Sequence, residues 1–408
     1  EPSFHTEKKN QEGEMTGSPL RLRLRSTSAR PLDDDDLLTE ILLRLYPNPS
    51  SLPRASVVCT RWRGIISDPG FLRRFRLRHR RSAPILGCFR TDLQRPRVNF
   101  VPTLEAPDRV PAERFSLQLV GCYRFRPLNC RHGLVLLIIL WCRMELLVWD
   151  PVTGDQHHLA VPRGFLRDMQ ERRIEGAVIR AAGVVHHFQV ALVGFDENDR
   201  KRAIACVYSS ETGSWGNPVS TLLPDEVLND TDFFGVPAVP VADSVYWFIS
   251  GGSSRILGFD LHRQMLSVMP VPSDFDRKDG CQCMFIQAEG GGLGFLAKSG
   301  CKVQLWKMES DCDGLASWAL GRTIELDTLL PLDPEEKKSL LIIGHAEYSN
   351  VLFLWTVIGH FTLHLESLKV EKTFDTEIWF LHQPLECVYT GEMGIGGAPG
   401  GANLLHNA

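Results

Sequence analysis

Histidines and cysteines are the residues of this chain whose chemistry could bind a metal ion. Histidine pairs occur at 157–158 and 186–187, and Cys281 and Cys283 are separated by one residue. Neighbouring residues on a strand point to opposite faces, so each histidine pair can supply one ligand to a site. Structural zinc sites use spacings such as C-x-x-C, which this cysteine pair lacks. The sequence therefore predicts no metal site.

Motifs for catalysis and cofactor binding are absent from the sequence. It contains no GxSxG nucleophile turn, no GxxxxGK[ST] phosphate loop and no HExxH zinc motif. Glycine runs near residues 251, 290 and 396 are interpreted as turns, because none lies between a strand and a helix. The sequence predicts neither an intrinsic active site nor a cofactor.

Tryptophans could form a recognition surface, since large rigid aromatics dominate protein interfaces. Most of them lie within short apolar runs, which favours core packing. Trp215, interpreted as loop-borne, and then Trp318 are the weak candidates for binding a target. The tryptophans considered are Trp149, Trp215, Trp247, Trp306, Trp318 and Trp355.

A basic stretch, RRFRLRHRR at 73–81, contains six arginines in nine residues. It could act as a nuclear localisation signal or contact the phosphates of a nucleic acid. The alternative is a solvated helix face that joins two domains. We favour the second interpretation, because no basic surface interleaved with aromatic residues follows and the net charge of the chain is -4.

Length and composition indicate a globular protein of several domains. The chain has 408 residues, of which 43% are hydrophobic, and this length fits two or three domains. The longest apolar run, GLVLLIILW at 133–141, is too short to cross a bilayer and is predicted to be a buried strand. Eleven scattered cysteines without a secretory signal favour the cytoplasm, the nucleus or both.

The two ends of the chain lack the patterns of folded elements. Residues 1–30 are polar and then basic, with no period that could bury a face, so we expect disorder. The Gly- and Ala-rich tail at 391–408 is expected to be flexible. Whether the natural start is Met15 or lies before Glu1 is left open.

Residues 31–75 have the pattern of three short amphipathic helices. Carboxylates at 33–36 suit a helix N-terminus, and Pro47 suits the end of the same helix. Three such helices bury little surface alone, so the module should pack on a neighbour or a partner. Their apolar faces comprise Leu38, Ile41, Leu42 and Leu45; Val58, Trp62, Ile65 and Ile66; and Phe71, Leu72 and Phe75.

From about residue 85 the pattern changes to short strands separated by turns. Five strand-and-turn signatures, among them WDPVTG and VYSSETGSW, are centred 59, 51, 47 and 58 residues apart. Repeats of this length, built from strands, predict propeller blades. Residues 85–390 would form about six blades, and five or seven are also compatible. The five markers are Trp149, Tyr208, Phe259, Trp306 and His364.

The helical segment at 32–75 resembles the F-box of plant proteins, particularly of the grass type. The matching marks are the leading Leu32 and the pieces EILLRL, SLPRAS, VCTRW and DPGF. The strand-rich remainder resembles F-box-associated propeller-like domains through WDPVTG, VYSSETGSW and FDL. Many F-boxes open with Leu-Pro, whereas Leu32 is followed here by Asp33.

The resemblance implies the substrate-recognition adaptor of an SCF-type ubiquitin ligase. Its F-box would bind a Skp-family adaptor and, through it, a cullin scaffold, while the β domain holds an unknown target protein. Ubiquitin transfer would belong to partner enzymes, so the chain itself is expected to be non-catalytic. The adaptor-binding residues implied by position are Leu32, Leu37, Leu38, Ile41, Leu42, Leu45, Leu52, Val58, Cys59 and Trp62.

The resulting expectation is a multidomain α + all-β protein, without a membrane or nucleic-acid partner. One alternative is a non-ligase binding protein, for a protein or carbohydrate ligand, with a degenerate F-box. A propeller enzyme or lectin is the other, and it would bring buried carboxylates or a metal to the propeller axis. The expected divisions are a disordered segment at 1–30, an F-box at 31–75, a basic linker at 76–84, a propeller-like domain at 85–390 and a tail at 391–408.

Overall fold

A computed structural model provides the fold. It divides into two compact units, residues 1–41 and 42–408. The expectations for residues 1–30 and for the tail at 391–408 lie outside the described residues. The structure describes residues 34–92, 97–119, 125–140, 144–165, 174–180, 187–227, 232–233, 236–273, 275, 281–310, 316–330, 332–333, 336–374 and 383–390.

The first helix, α1 (Asp35–Leu42), begins at the acidic run. An Asp34 side-chain oxygen accepts hydrogen bonds from the backbone N–H groups of Asp36 (2.8 Å) and Leu37 (3.1 Å). These N–H groups have no partner inside the helix, so the carboxylate satisfies them and complements the helix dipole. Leu38 is fully buried, whereas Leu37 is exposed.

Three further helices follow: α2 (Ser51–Ser56), α3 (Thr60–Ile66) and α4 (Pro69–Arg78). The sequence predicted three helices in all, and the structure has four because the predicted second helix is interrupted at 57–59. Cys59 adopts an extended conformation there and precedes α3. At the next junction, Asp68 caps α4 by accepting a hydrogen bond from the N–H of Phe71 at 2.7 Å.

Phe71 and Phe75 form the buried face of α4. The His79 ring lies 4.6 Å from that of Phe75, and its Nε2 is 2.8 Å from the backbone oxygen of Leu43. Helix α4 and the segment after α1 are therefore joined by aromatic packing and a hydrogen bond.

The rest of the chain forms six antiparallel sheets, which are the blades of a propeller. Blade one has β1 (Ile85–Asp92), β2 (Arg97–Pro102) and β3 (Leu117–Gln118); blade two has β4 (Phe125–Arg131), β5 (Leu134–Leu140), β6 (Met144–Trp149) and β7 (Gln156–Ala160). Blade three has β8 (Ile174–Ile179), β9 (Gln189–Phe195), β10 (Arg202–Ser209), β11 (Ser214–Trp215) and β12 (Val219–Leu222).

The remaining blades repeat this order from the inside outwards. Blade four has β13 (Asp232–Phe233), β14 (Val239–Val241), β15 (Ser244–Ser250), β16 (Arg255–Asp260) and β17 (Met265–Pro270). Blade five has β18 (Gln282–Gln287), β19 (Leu293–Ser299), β20 (Lys302–Ser310) and β21 (Ala316–Glu325), followed by the helix α5 (Leu326–Leu329). Blade six has β22 (Leu341–Ala346), β23 (Val351–Thr356), β24 (Gly359–His364) and β25 (Val370–Phe374).

The ring is closed by β26 (Gln383–Glu386), which supplies the inner strand of blade one. It pairs antiparallel with β1, so that Phe89 lies opposite Gln383 and Cys88 opposite Pro384. Closure removes the free inner edge that blade one would otherwise expose. The predicted six blades are confirmed.

The repeat markers found in the sequence all lie on the third strand of a blade. Within the described residues, four of these strands lead into a turn whose fifth residue has a positive φ, such as Gly154 at 85°. Asp150 opens one such turn by accepting a hydrogen bond from the N–H of Val152 at 2.9 Å, and Asp260 does the same with His262 at 3.0 Å. The sequence WDPVTG therefore encodes a turn in which the aspartate side chain accepts a hydrogen bond from the backbone. The positive-φ positions are Gly154, Gly213, Gln264 and Leu368.

The core lies between adjacent blades, as the strand β5 shows. All seven of its residues are buried. Leu136 and Ile138 pack in the cluster shared with blade three, whereas Val135 and Leu137 pack in the cluster shared with blade one. A strand buried on both faces reads as a continuous apolar run. The predicted buried strand at 133–141 is confirmed for the residues of β5.

We expect ring closure to depend on Leu385, whose side chain in β26 is 0% exposed. Leu385→Ala should lower the free energy of unfolding by about 2–5 kcal/mol, because a buried side chain is replaced by a cavity. The matched control is Leu222→Ala in β12, where the leucine is 60% exposed, and a change within about 0.5 kcal/mol is expected. Urea unfolding measures both, and equal losses would contradict this account of closure.

Candidate adaptor-binding surface and its junction with the propeller

The structure divides the predicted adaptor-binding residues into core and surface. Leu38, Leu42 and Leu52 are buried, so their side chains stabilise the helices and cannot contact a partner without rearrangement. Leu45 and Trp62 are half-buried. Leu32 lies outside the described residues.

Four of the predicted residues remain at the surface: Leu37, Ile41, Val58 and Cys59. Leu37 and Ile41 are four residues apart on α1, hence on one side of that helix. Val58 is 61% exposed, because the break between α2 and α3 turns it away from the helical core. Apolar side chains of this size at the surface of an adaptor module are the ones available to a partner.

Two further exposed apolar residues were missed by the sequence analysis. Tyr46 is 82% exposed and Val57 is 73% exposed. Both lie in segments between helices, and the predicted continuous second helix gave Val57 no outward position. The helix break beside Cys59 was the missing signal.

The basic stretch at 73–81 is helical and has two faces. Arg73, Arg74, Arg78 and Arg81 are exposed, which agrees with the predicted solvated face. Arg76 turns towards the propeller, where its Nη2 donates to the Thr390 hydroxyl at 2.6 Å. The predicted linker at 76–84 thus begins inside α4 and continues into a 3₁₀ turn (Arg80–Ser82).

Arg80 fixes this junction at a second point. Its Nη2 donates to the backbone oxygen of Arg180, which follows β8, at 2.7 Å. Elsewhere, Asp108 accepts hydrogen bonds from the side chain of Asn48 (3.1 Å) and the N–H of Ser50 (3.0 Å). The helices of residues 42–78 are therefore held to blades one and three by charge-assisted hydrogen bonds.

A network of charged and polar side chains lies beside the propeller axis. Arg131 forms an ion pair with Glu347, and the Tyr348 hydroxyl hydrogen-bonds Nδ1 of His132. Burial, followed by the positive charges of nearby arginines, lowers the pKa of His132 to about 2, so this imidazole is neutral. Burial raises the pKa of Glu347 to about 6 against the opposing effect of Arg131.

Glu386 completes the network at the end of β26. Its carboxylate accepts hydrogen bonds from the N–H of Tyr348 (2.9 Å), the N–H of Ser349 (2.8 Å) and the Ser349 hydroxyl (2.7 Å). These contacts tie the ring-closing strand to the turn between β22 and β23. The hydrogen bonds fix this turn, and they use both oxygens of the Glu386 carboxylate as acceptors.

Two of the histidines considered for metal binding contact other side chains. Nδ1 of His158 lies 3.3 Å from a carboxylate oxygen of Glu145, and the His157 ring lies 5.2 Å from that of Phe188. No group of three or more His, Cys, Asp or Glu suited to a metal ion occurs within the described ranges. None of the described helices is long and apolar enough to cross a membrane.

The tryptophans proposed for target binding lie at the seams between blades. Trp215 is in the short strand β11, not in a loop as expected, and its indole N–H donates to the Ala160 backbone oxygen at 3.0 Å. Trp318 in β21 donates similarly to Pro270 at 2.9 Å. Each indole thus joins an outer strand to the preceding blade. Target binding by either residue stays a prediction.

Comparison with family models identifies both parts of the chain. The F-box domain model matches residues 34–74. The model described as "F-box protein AT5G49610-like, beta-propeller" matches residues 128–381, more than half of the chain. The narrower resemblance to grass sequences is untested by these models and stays a prediction.

Solved structures similar to this chain have low identity. A protein of unknown function from Bacteroides caccae has a TM-score of 0.43 and 8% identity, over 74% of this chain and 99% of that one. A mutant of AofleA from Arthrobotrys oligospora has a TM-score of 0.38 and 10% identity, over 62% and 72%. The WD40 domain of SCAP from fission yeast has a TM-score of 0.33 and 13% identity, over 62% of this chain and 55% of that one, less than two thirds of its length.

A search of curated proteins finds no significant match. The assignment therefore rests on the two family models and on the architecture, four short helices followed by six four-stranded or five-stranded blades. The chain belongs to the plant family of AT5G49610-like F-box proteins, in which an F-box domain precedes a β-propeller.

Proposed function

We propose that this F-box protein is the substrate-recognition adaptor of an SCF-type ubiquitin ligase. F-box domains in general bind a Skp-family adaptor, which links them to a cullin scaffold. The main support is the exposure of apolar side chains within the F-box match, at Leu37, Ile41 and Val58, while their neighbours form the helical core. Such side chains gain free energy when a partner removes them from water.

The proposed mechanism is proximity. The F-box docks the assembly while the propeller holds the target, so that the target reaches a high effective concentration beside the ubiquitin-charged enzyme. The contacts of Arg76 and Arg80 with the propeller support a defined geometry for this transfer, because a loose tether would lower the effective concentration. Bond formation belongs to the partner enzymes, and this chain acts by binding.

The proposed target site is the propeller face opposite the junction with α4. At the junction, Arg76 donates to Thr390. The turns after β4 and β22 line the same cavity as Arg76, so the junction lies at this end of the ring. The loops at the other ends of the strands remain available, and binding residues concentrate on such loops. Trp215 and Trp318 remain weaker candidates, because their indole N–H groups already bond within the propeller.

One observation also favours the class of propeller enzymes and lectins. Glu386, which is buried, and Glu347, which is half-buried, line one cavity at the axis. This cavity has a volume of about 80 Å³, whereas pockets for drug-sized ligands hold about 300–1,000 Å³. It has space for about two or three waters. We therefore rank this function second.

The first test is adaptor binding by the full chain, with Ile41→Asp as the variant. A carboxylate at this exposed position should weaken binding to a Skp-family adaptor by about 30-fold or more, which corresponds to a loss of about 2 kcal/mol at an interface hot spot. Val357→Asp, on an exposed propeller turn, is the matched control and should bind as wild type. Titration calorimetry measures both affinities.

Adaptor binding by the wild-type chain distinguishes the ligase adaptor from the non-ligase binding protein. Binding that is lost in Ile41→Asp and kept in Val357→Asp supports the ligase adaptor. A folded wild-type chain that does not bind any Skp-family adaptor would favour the non-ligase binding protein with a degenerate F-box. The unusual Leu32-Asp33 opening would then be its cause.

A second test separates interface from core among the predicted residues. Val58→Ala should weaken adaptor binding about 5-fold, a loss of about 1 kcal/mol, and change the free energy of unfolding by less than about 0.5 kcal/mol. Leu52→Ala should lower the unfolding free energy by about 2–5 kcal/mol, because Leu52 is buried. Chemical unfolding and calorimetry on both variants give the comparison, and a destabilised Val58→Ala protein would place that residue in the core.

A further inference from the structure

A cavity of about 230 Å³ lies between α4, its following 3₁₀ turn and the propeller. Three arginines line it: Arg76 and Arg80 from the helical segment, and Arg180 from the end of β8. Arg180 is 100 residues beyond Arg80 in sequence, and the docking of α4 brings it beside the other two. The volume is below the range of about 300–1,000 Å³ for drug-sized ligands, so a small ion or metabolite fits better.

Arg180 is held in place with hydrogen-bonding capacity left over. Arg180 donates to the His132 backbone oxygen at 3.3 Å, and its Nη2 lies 3.6 Å from Asp150. Its buried Nε has no hydrogen-bond partner among the described residues. A guanidinium has five N–H donors, and a buried donor without a partner is costly.

The carboxylates in the wall are already occupied. One oxygen of Asp150 accepts hydrogen bonds from the N–H groups of Val152 and Thr153. Asp155 accepts the Thr153 hydroxyl at 2.8 Å. Glu386, as described above, is bound by Tyr348 and Ser349. These acids therefore stabilise turns. Asp150 also contacts Arg180 at 3.6 Å, so an anion would compete with this carboxylate for the guanidinium.

The neighbouring His132 imidazole is neutral and adds no charge to the wall of the cavity. Its lowered pKa has burial as the main cause, and Arg131, Arg80 and Arg180 all add to the effect. Burial likewise lowers the pKa of the Arg180 guanidinium, and the charge of Arg80 lowers it further against the opposing effect of Asp150. The case for an anion therefore rests on the guanidinium donors that face the cavity, among them the unpaired Nε of Arg180.

We propose that this cavity binds a small polyanion through Arg76, Arg80 and Arg180. The ligand class is a compound with two or more phosphate or carboxylate groups, because a guanidinium pairs with either group in a bidentate manner. The anion would join the helical segment to blade three and neutralise the cluster. It would act as a ligand-dependent clamp between the F-box helices of residues 42–78 and the propeller. This inference does not depend on adaptor binding.

The test uses the full chain with pyrophosphate in one arm and citrate in the other, at ionic strength matched with KCl. Titration calorimetry should show saturable binding, and thermal unfolding should shift upwards with ligand concentration. Arg180→Gln should weaken binding at least tenfold. Arg74→Gln, on the exposed side of the same α4, is the matched control and should bind within twofold of wild type.

Arg80→Gln provides a second variant if Arg180→Gln fails to fold by circular dichroism, and the same tenfold loss is expected. Binding of pyrophosphate alone would assign the site to phosphates, and binding of both anions would assign it to polyanions in general. The proposal is overturned if neither anion binds saturably. It is also overturned if Arg74→Gln weakens binding as much as the cavity variants do.

Discussion

Closure of the ring is the constraint on which the remaining structure depends. A sheet with free edges must be paired or covered, and here the last described strand, β26, pairs with the first, β1. The same strand carries Glu386, which fixes the turn before β23, and it leads to Thr390, which receives Arg76 of α4. Closure and the attachment of the helices are therefore achieved at one place in the molecule.

The helical module shows how one amphipathic pattern serves two purposes. Leu38 and Leu42 are buried, whereas Leu37 and Ile41 remain exposed on the same helix. A 3.6-residue period identifies apolar residues that share a face, but it does not say which face meets the protein and which meets a partner. The predicted set stays a prediction as a binding surface, and only the structure could divide it into core and surface.

The propeller was more predictable than its connections. The markers from Trp149 to His364 identified the third strands of five blades. Within the described residues, four of these strands lead into a turn with a positive-φ residue, and such a turn has a recognisable sequence. Blade one has no such marker, since its inner strand comes from residues 383–386 and its outer strand is two residues long. Two local features were predicted wrongly. The second helix was expected to continue through 57–59, where the structure has a break, and Trp215 was expected in a loop but lies in a strand.

The polar networks could not have been predicted from local sequence. Arg131 and Glu347 are 216 residues apart, and Arg76 and Thr390 are 314 apart. No periodicity relates positions at such separations, so their pairing follows only from the closed ring. The cavity with three arginines belongs to the same class of features, because α4 and β8 approach each other only in the folded chain.

Closure by a late strand has a consequence for synthesis. The β1 strand (Ile85–Asp92) leaves the ribosome long before β26 (Gln383–Glu386) has been made. At about 5–20 residues per second, the inner edge of β1 waits roughly 15–60 seconds for its partner. During that interval the nascent chain exposes an unsatisfied strand edge, which invites mispairing with other chains. Correct folding in the cell therefore depends on keeping this one edge unoccupied until the final strand arrives.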